Sequence, residues 1–397
     1  MNILIINHYR RFKNWRWGRM YSLPYELAKR GHKVTLFVVA DIEKKKVKQY
    51  QENGFTIVEF PDLLKGSLRS GWDLWCIYNR KKYLRSVEQK FDIIHLFETR
   101  PATIYPALNY RKKHHIPFVI DWNDWWGRGG LITENRPSWY AGTLGHIETF
   151  YEEAFRKYGS AHTVVSDALK NRLIDMGIDK NTIHWIPNCA DTDQFVPRDV
   201  ITARTSLRLP LDVPVFCFTG YEVLSDLDLV LDSFKLVLKV LPNALLLLTG
   251  KVTEKTTAFV AENQLGKNIL QLGYVSEDDL KNVIASSDIC LMPFRNKISN
   301  LGRYPGKVAE YLSMGKPIIS NDVGEVGKLL KNCKVGLLAE PYPEQFSNCM
   351  IELISNKQLL DAFGMNAREY AMNNLNWTIQ ARNLEVIYTN LLETESL

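Results

Sequence analysis

Short apolar runs rich in β-branched residues alternate along this chain with longer stretches of helical, 3.6-residue periodicity. Asn2–Asn7, Lys33–Val39, Asp92–Leu96, Pro117–Asp121 and Thr163–Val165 read as buried strands. Met20–Arg30 reads as a helix stopped by Gly31, and a second helix ends near Arg111-Lys112-Lys113. Ser166 stands as N-cap to a helix over Asp167–Met176. Strands that are apolar on both faces and alternate with helices predict a parallel sheet covered on both sides.

The rhythm breaks over Ile186–Pro214, a Pro- and Asp-bearing stretch that reads as a linker. It restarts with strands at Val215–Thr219, Ala244–Thr249, Ile269–Gln271 and Asp288–Met292. Leu227–Val240, Glu277–Ala285 and Gly306–Ser313 read as helices, and Trp377–Leu392 as a strongly amphipathic final one. The fold class is α/β, with two Rossmann-like doubly wound domains. Such sheets bind ligands at the carboxyl ends of their strands, so a cleft between two of these edges is expected. The expected division is 1–200, 201–375 and a last helix over 376–397 that crosses back to the N-terminal domain. A length of 397 residues suits two domains of ordinary size.

Composition narrows this little: 46% hydrophobic and 24% charged residues exclude a disordered or fibrous chain. No apolar run approaches the roughly 18–20 residues of a membrane helix. The start lacks the basic region of a secretory signal. Cys76, Cys189, Cys217, Cys290, Cys333 and Cys349 form no C-x-x-C pair. No structural zinc or disulfide framework is expected, and a cytoplasmic home is. The net charge of +6 is unevenly spread: residues 1–200 carry +9 and the remainder −3. Eight of the ten tryptophans fall within the first 140 residues. Two halves with different partners are implied.

Several familiar signatures are absent. No G-x-G-x-x-G follows the first strand. Gly302-Arg303-Tyr304-Pro305-Gly306-Lys307-Val308 is one residue short of a P-loop and lacks its Ser/Thr. The D-x-D pairs Asp191/Asp193 and Asp226/Asp228 read as turn and helix caps, and no metal or cofactor is expected. The informative segment is Ser299–Leu312, which follows an apolar strand and opens a helix at Pro305. Amides at that helix start, flanked by Arg303 and Lys307, suit a diphosphate. Glu310, one turn on, could accept two ribose hydroxyls, and the alternative is an ordinary Lys307–Glu310 surface pair.

Ile186–Phe195 together with Lys307–Ile319 resembles the GT-B fold retaining glycosyltransferases of family 4 (group 1). The likeness spans nearly the whole chain, including Glu26–Thr35 and the final Trp377 helix. It implies a metal-independent enzyme that uses a nucleotide-diphosphate sugar as donor. The acceptor would be a saccharide or lipid-linked, as in cell-surface polysaccharide or glycoconjugate synthesis. A nucleotide-sugar epimerase of the same fold and a degenerate binding protein are the alternatives.

Carried over by position, Glu310 is the second member of the family's E-x7-E pair, and Gly302 stands where the first glutamate is expected. The family's phosphate-clamping Arg and Lys are also missing: Tyr221 follows Gly220, and Asp226 holds the lysine position. Arg303 and Lys307 are the expected replacements, with Asn300 a sugar contact and Tyr274 near the base. In the N-terminal half, Asn123 occupies the position of the family's histidine, between Asp121 and Asp124, the candidates to orient or deprotonate an acceptor. Gly18 ends the basic, tryptophan-bearing loop Tyr9–Arg19 and is the glycine expected near donor and acceptor. That loop suits an anionic acceptor. With Trp72, Trp75, Lys81 and Lys82 it suits an anionic membrane surface, and no nucleic-acid motif accompanies it.

Overall fold

The computed structural model describes residues 1–10, 18–40, 46–63, 71–221 and 226–395. The chain divides into two compact units, Met1–Asn188 with Trp377–Leu397, and Cys189–Asn376. The change of unit therefore falls before the residue-200 boundary expected from the sequence. The stretch read as a linker lies in the second unit from Cys189 onward and contains a helix, Val200–Ser206. Asp199 caps that helix by accepting from the Thr202 amide at 2.7 Å.

The first unit is built on an eight-stranded sheet of order β3-β4-β2-β1-β5-β6-β7-β8. The strands are β1 (Asn2–Arg10), β2 (Lys33–Val39), β3 (Lys48–Glu52), β4 (Phe55–Phe60), β5 (Ile93–Phe97), β6 (Phe118–Trp122), β7 (Ala161–Val164) and β8 (Ile183–Trp185). All pair in parallel except β3, which lies antiparallel on β4 at the edge. Ile3, Leu4, Leu36, Phe37, Ile94, Leu96, Phe118 and Ile120 are fully buried, as strands covered on both faces require.

The last helix, Trp377–Glu395, belongs to this unit. Its Tyr388 hydroxyl lies 2.6 Å from His95 Nδ1, Glu385 pairs with Arg30, and Thr378 donates to Glu26 at 2.9 Å. Burial lowers the His95 pKa to about 4, so the imidazole is neutral, as a core histidine is.

The second unit is a six-stranded parallel sheet, β11-β10-β9-β12-β13-β14. Here β9 is Val215–Tyr221, β10 Leu245–Gly250, β11 Ile269–Gly273, β12 Ile289–Met292, β13 Ile318–Ser320 and β14 Gly336–Leu338. The helices Leu227–Val240 and Gly306–Ser313 have the bounds read from the sequence. Among the described residues no helix is long and apolar enough to cross a membrane.

Candidate functional site

In the second unit, the chain leaves β12 through Phe294, whose amide donates to Asn321 at 2.8 Å. It makes a short helix, Ile298–Leu301, and turns into the helix Gly306–Ser313 after Pro305. Pro305 has φ −67°, the angle its ring imposes, so it is pre-set for the helix entry. Lys307 then points back to the end of β9, donating from Nζ to the carbonyls of Thr219 (2.5 Å) and Gly220 (3.2 Å). Its ammonium also lies 4.4 Å from the Phe218 ring. Gly220 has φ +58°, which glycine adopts without strain.

With Lys307 so placed, no ion pair joins it to Glu310, and the surface-pair alternative fails. The Glu310 carboxylate is half-buried, and no hydrogen bond or ion pair among the described residues engages it. Burial pushes its pKa up to about 7, with Lys307 pulling down and Glu277 pushing up.

The rest of this segment differs from the sequence expectation. Asn300 is 1% exposed, and its Nδ2 donates to Asp226 (3.1 Å) and to the Arg295 carbonyl (2.7 Å) while Oδ1 accepts from Arg303. A side chain so fully committed is a brace for the turn, not a sugar contact. The Gly302 amide is spent on the Ile298 carbonyl at 2.9 Å and so is not offered to a diphosphate.

Asp226, standing where the family has lysine, binds Lys297 at 2.8 Å and the Arg295 amide at 2.9 Å. Burial works against its ionisation, yet those bonds hold its pKa below the usual carboxylate value. The lost cation is thus replaced by an anion that gathers Arg295, Lys297 and, through Asn300, Arg303. The other D-x-D pair is a turn cap, with Asp191 accepting from the Asp193 and Gln194 amides at 3.1 and 3.2 Å. Tyr274 is 78% exposed at the end of β11.

In the first unit, the carboxyl ends of β5, β6 and β7 gather a charged network. Asp121 and Thr163 are register partners on β6 and β7, and the Thr163 hydroxyl donates to Asp121 at 2.5 Å. Arg19 donates to the same carboxylate from Nε at 3.0 Å and from Nη2. It also reaches the carbonyls of Ile186 (2.7 Å) and Pro187 (3.1 Å). Both side chains are buried, Asp121 at 1% and Arg19 at 4% exposure. This corrects two expectations. Asp121 holds Arg19 instead of meeting an acceptor, and Arg19 contributes no surface charge for an anionic one.

Asn123 and Asp124 are half-buried, with Asn123 Nδ2 donating to Asp124 at 3.2 Å. Asn123 Oδ1 is buried without a partner among the described residues. Gly18 is the exposed N-cap of the helix Arg19–Lys29, with φ −86° and its carbonyl accepting from Tyr21 and Ser22. That angle is open to any residue, so no glycine-specific conformation is used there. Arg11–Trp17, the remainder of the basic loop, lie outside the described residues.

Sequence reasoning missed the groups that fix the Asp124 loop. Glu152 accepts from Trp122 Nε1 (3.0 Å) and from the amides of Trp126 (2.8 Å) and Gly127 (2.6 Å). A Cβ at Gly127 would lie 2.2 Å from Glu152 Oε2, so only glycine fits. Arg156 and Arg172 stack on Trp122 at 3.7 and 5.1 Å. Glu152 and Arg156, at and just past the end of the helix Leu144–Ala154, were the available signal, but their partners Trp122, Trp126 and Gly127 lie 25–34 residues away.

Two parallel-sheet α/β units with helix-flanked strand ends define the GT-B class. Family models match both: Glycosyltransferase Family 4 over residues 19–194 and Glycosyl transferases group 1 over residues 202–370. The chain belongs to this glycosyltransferase family. Among curated relatives, it is 27% identical over 143 residues to an uncharacterized glycosyltransferase of Methanocaldococcus jannaschii, covering 36% of this chain and 39% of that protein. It is 25% identical over 222 residues to the GDP-mannose-dependent monoacylated alpha-(1-6)-phosphatidylinositol monomannoside mannosyltransferase of Corynebacterium glutamicum, covering 54% and 57%. The aligned part thus spans well under two thirds of either relative. Sucrose-phosphate synthase from Thermosynechococcus elongatus shares the fold, with TM-score 0.78 and 16% identity over 99% of this chain and 100% of that one.

Proposed function

We propose that the protein is a retaining, metal-independent glycosyltransferase that moves a sugar from a nucleotide-diphosphate donor to a saccharide or lipid-linked acceptor. The reading rests most on Glu310. A half-buried carboxylate with no hydrogen-bond partner among the described residues, one turn into a helix, is poised to accept two vicinal hydroxyls of a ribose. Lys307 and Arg303 supply charge to the diphosphate beside the helix start, and the exposed Tyr274 ring stacks on the base. The GDP-mannose-dependent relative supports a nucleotide-sugar donor.

The first unit takes the acceptor. Asp124 orients the attacking hydroxyl and Asn123 positions it, while Asp121 acts at a remove by locking Arg19 and the end of β6. The leaving diphosphate takes the acceptor proton on the face it departs from, so the anomeric configuration is kept. The protein's contribution is charge stabilisation and alignment. The setting is glycoconjugate synthesis at the inner face of a membrane. Exposed Leu74, Trp75 and Tyr78 on the helix Leu74–Ser86, which also carries Lys81 and Lys82, meet anionic lipid.

Incubation of UDP-glucose or GDP-mannose with a panel of simple glycosides as acceptors, followed by NMR of the glycosylated product, tests the reaction. An α-linked product is expected from one of them. Asp124→Asn should lower turnover about 100-fold, in the range of a positioned polar group, with donor affinity unchanged. An inverted product, or full activity in that variant, contradicts the assignment.

A further inference from the structure

A small cavity lies within the first unit, between the residues that follow β5 and the helix Leu144–Ala154. It has about 20 Å³ of space, enough for one water molecule or one hydroxyl group. Glu98, Trp126, Trp72, Tyr151, Arg100 and Glu148 line it. Most of the polar wall is already committed. Glu148 accepts from the Tyr140 hydroxyl at 2.5 Å and lies 4.0 Å from Arg100, which also covers the Trp126 ring at 5.5 Å. Two wall groups are buried with no hydrogen-bond partner among the described residues: the Glu98 Oε1 atom and the Trp126 indole N–H.

Glu98 is the unusual residue. It is 5% exposed, and its nearest cation, Arg156, is 3.8 Å away, beyond hydrogen-bond reach. Its φ is +67°, a left-handed angle that costs a side-chain-bearing residue about 1 kcal/mol or more. Strain of this kind, combined with a buried unsatisfied carboxyl, persists where the surrounding structure enforces it, and ligand sites are where it concentrates. Burial holds the Glu98 pKa up at about 8, Arg156 opposing and Glu152, Asp124 and Asp121 reinforcing.

One chemical group satisfies both walls at once. An indole N–H can only donate, and the unpartnered Glu98 Oε1 accepts as the carbonyl oxygen of the protonated acid just as it would in the carboxylate, so the missing partner must accept from one and donate to the other. An alcohol hydroxyl does both. The Trp72 and Tyr151 rings, in edge contact at 5.1 Å, border the cavity with the apolar surface that the C–H face of a sugar takes. We infer that this cavity is a hydroxyl-reading subsite for a saccharide acceptor, in which Glu98 and Trp126 together grip one hydroxyl of the sugar. The inference rests on the glycosyltransferase reading for its ligand class, and it makes Glu98 a specificity-determining residue. A site built to bond a hydroxyl rejects the deoxy analogue, because both buried groups are then left unpaired.

The test follows the Trp126 indole ¹⁵N–¹H signal in the full-length protein as methyl α-D-mannopyranoside, methyl α-D-glucopyranoside and methyl α-D-galactopyranoside are added. At least one glycoside should shift that signal. Glu98→Ala should weaken the effect about tenfold or more, and the isosteric Glu98→Gln about threefold, as expected for losing or softening one buried hydrogen bond. Should Glu98→Ala not fold, the Gln variant carries the comparison. UDP and GDP affinity, measured alongside, should be unchanged in both variants. A Trp126 signal unmoved by all three sugars, or moved equally with Glu98 replaced, overturns the subsite. Retained nucleotide binding would then leave the donor reading standing, whereas failure of both nucleotides to bind strikes that reading alone.

Discussion

Asp121, near the carboxyl end of β6, and Glu310, one turn into the helix Gly306–Ser313, are both carboxylates with opposite surroundings. Asp121 is saturated, with two donors from Arg19 and one from Thr163, and 1% of it is exposed. Glu310 is half-buried and unengaged by any described residue, with a pKa held up at about 7. A carboxylate that has spent its acceptor capacity on the protein stabilises the protein. One that has paid part of its desolvation without gaining partners is matched to something that arrives later.

Removing the saturated partner should give the largest effect. Asp121→Ala leaves Arg19 buried and uncompensated, and should cost about 3–5 kcal/mol of unfolding free energy. Chemical denaturation measures it. A loss below about 1 kcal/mol would place Asp121 outside the structural network and return it to the acceptor.

Glu98 offers a smaller, pH-dependent contrast. Its folded pKa, about 8, is above the ordinary carboxyl value of 4.5, so the folded state binds more protons between those values. The stability that this carboxyl contributes is therefore present below about pH 4.5 and is lost as pH rises through 8. Glu98→Gln, neutral throughout, should flatten the fall in Tm over that window and leave the variant the more stable of the two at pH 8–9, by several degrees. Parallel Tm profiles for the two proteins would show that Glu98 is not the buried acid described.

Much of the fold was legible, for reasons that are local. Lys33–Val39, Leu227–Val240 and Gly306–Ser313 keep the bounds read from sequence because turn or cap residues flank continuous apolar patterns. The β3–β4 hairpin was missed despite a strong signal. Its Asn53-Gly54 pair takes φ +47° and +86°, as a tight hairpin turn demands. Lys48–Glu52 is polar on both faces, so hydrophobic periodicity alone passed it over.

The site divides along the same line. Glu310 and Lys307 were readable because motif, helix start and charge fall within a few residues. Asn300 was misread as a sugar contact because its partner, Asp226, lies 74 residues away. Arg19 and Asp121 are 102 residues apart, and no spacing rule joins them.

Titration calorimetry of UDP and GDP with the wild type and Glu310→Gln, at pH 6 and pH 8, bears most directly on the account. One nucleotide should bind the wild type, and more tightly at pH 8 by up to about tenfold, as Glu310 ionises through its raised pKa near 7. Glu310→Gln should bind it about tenfold more weakly at pH 8, the value of one charge-assisted hydrogen bond, and lose most of the pH dependence. Equal affinity and an equal pH profile in the two proteins would contradict the assignment of Glu310 to the ribose.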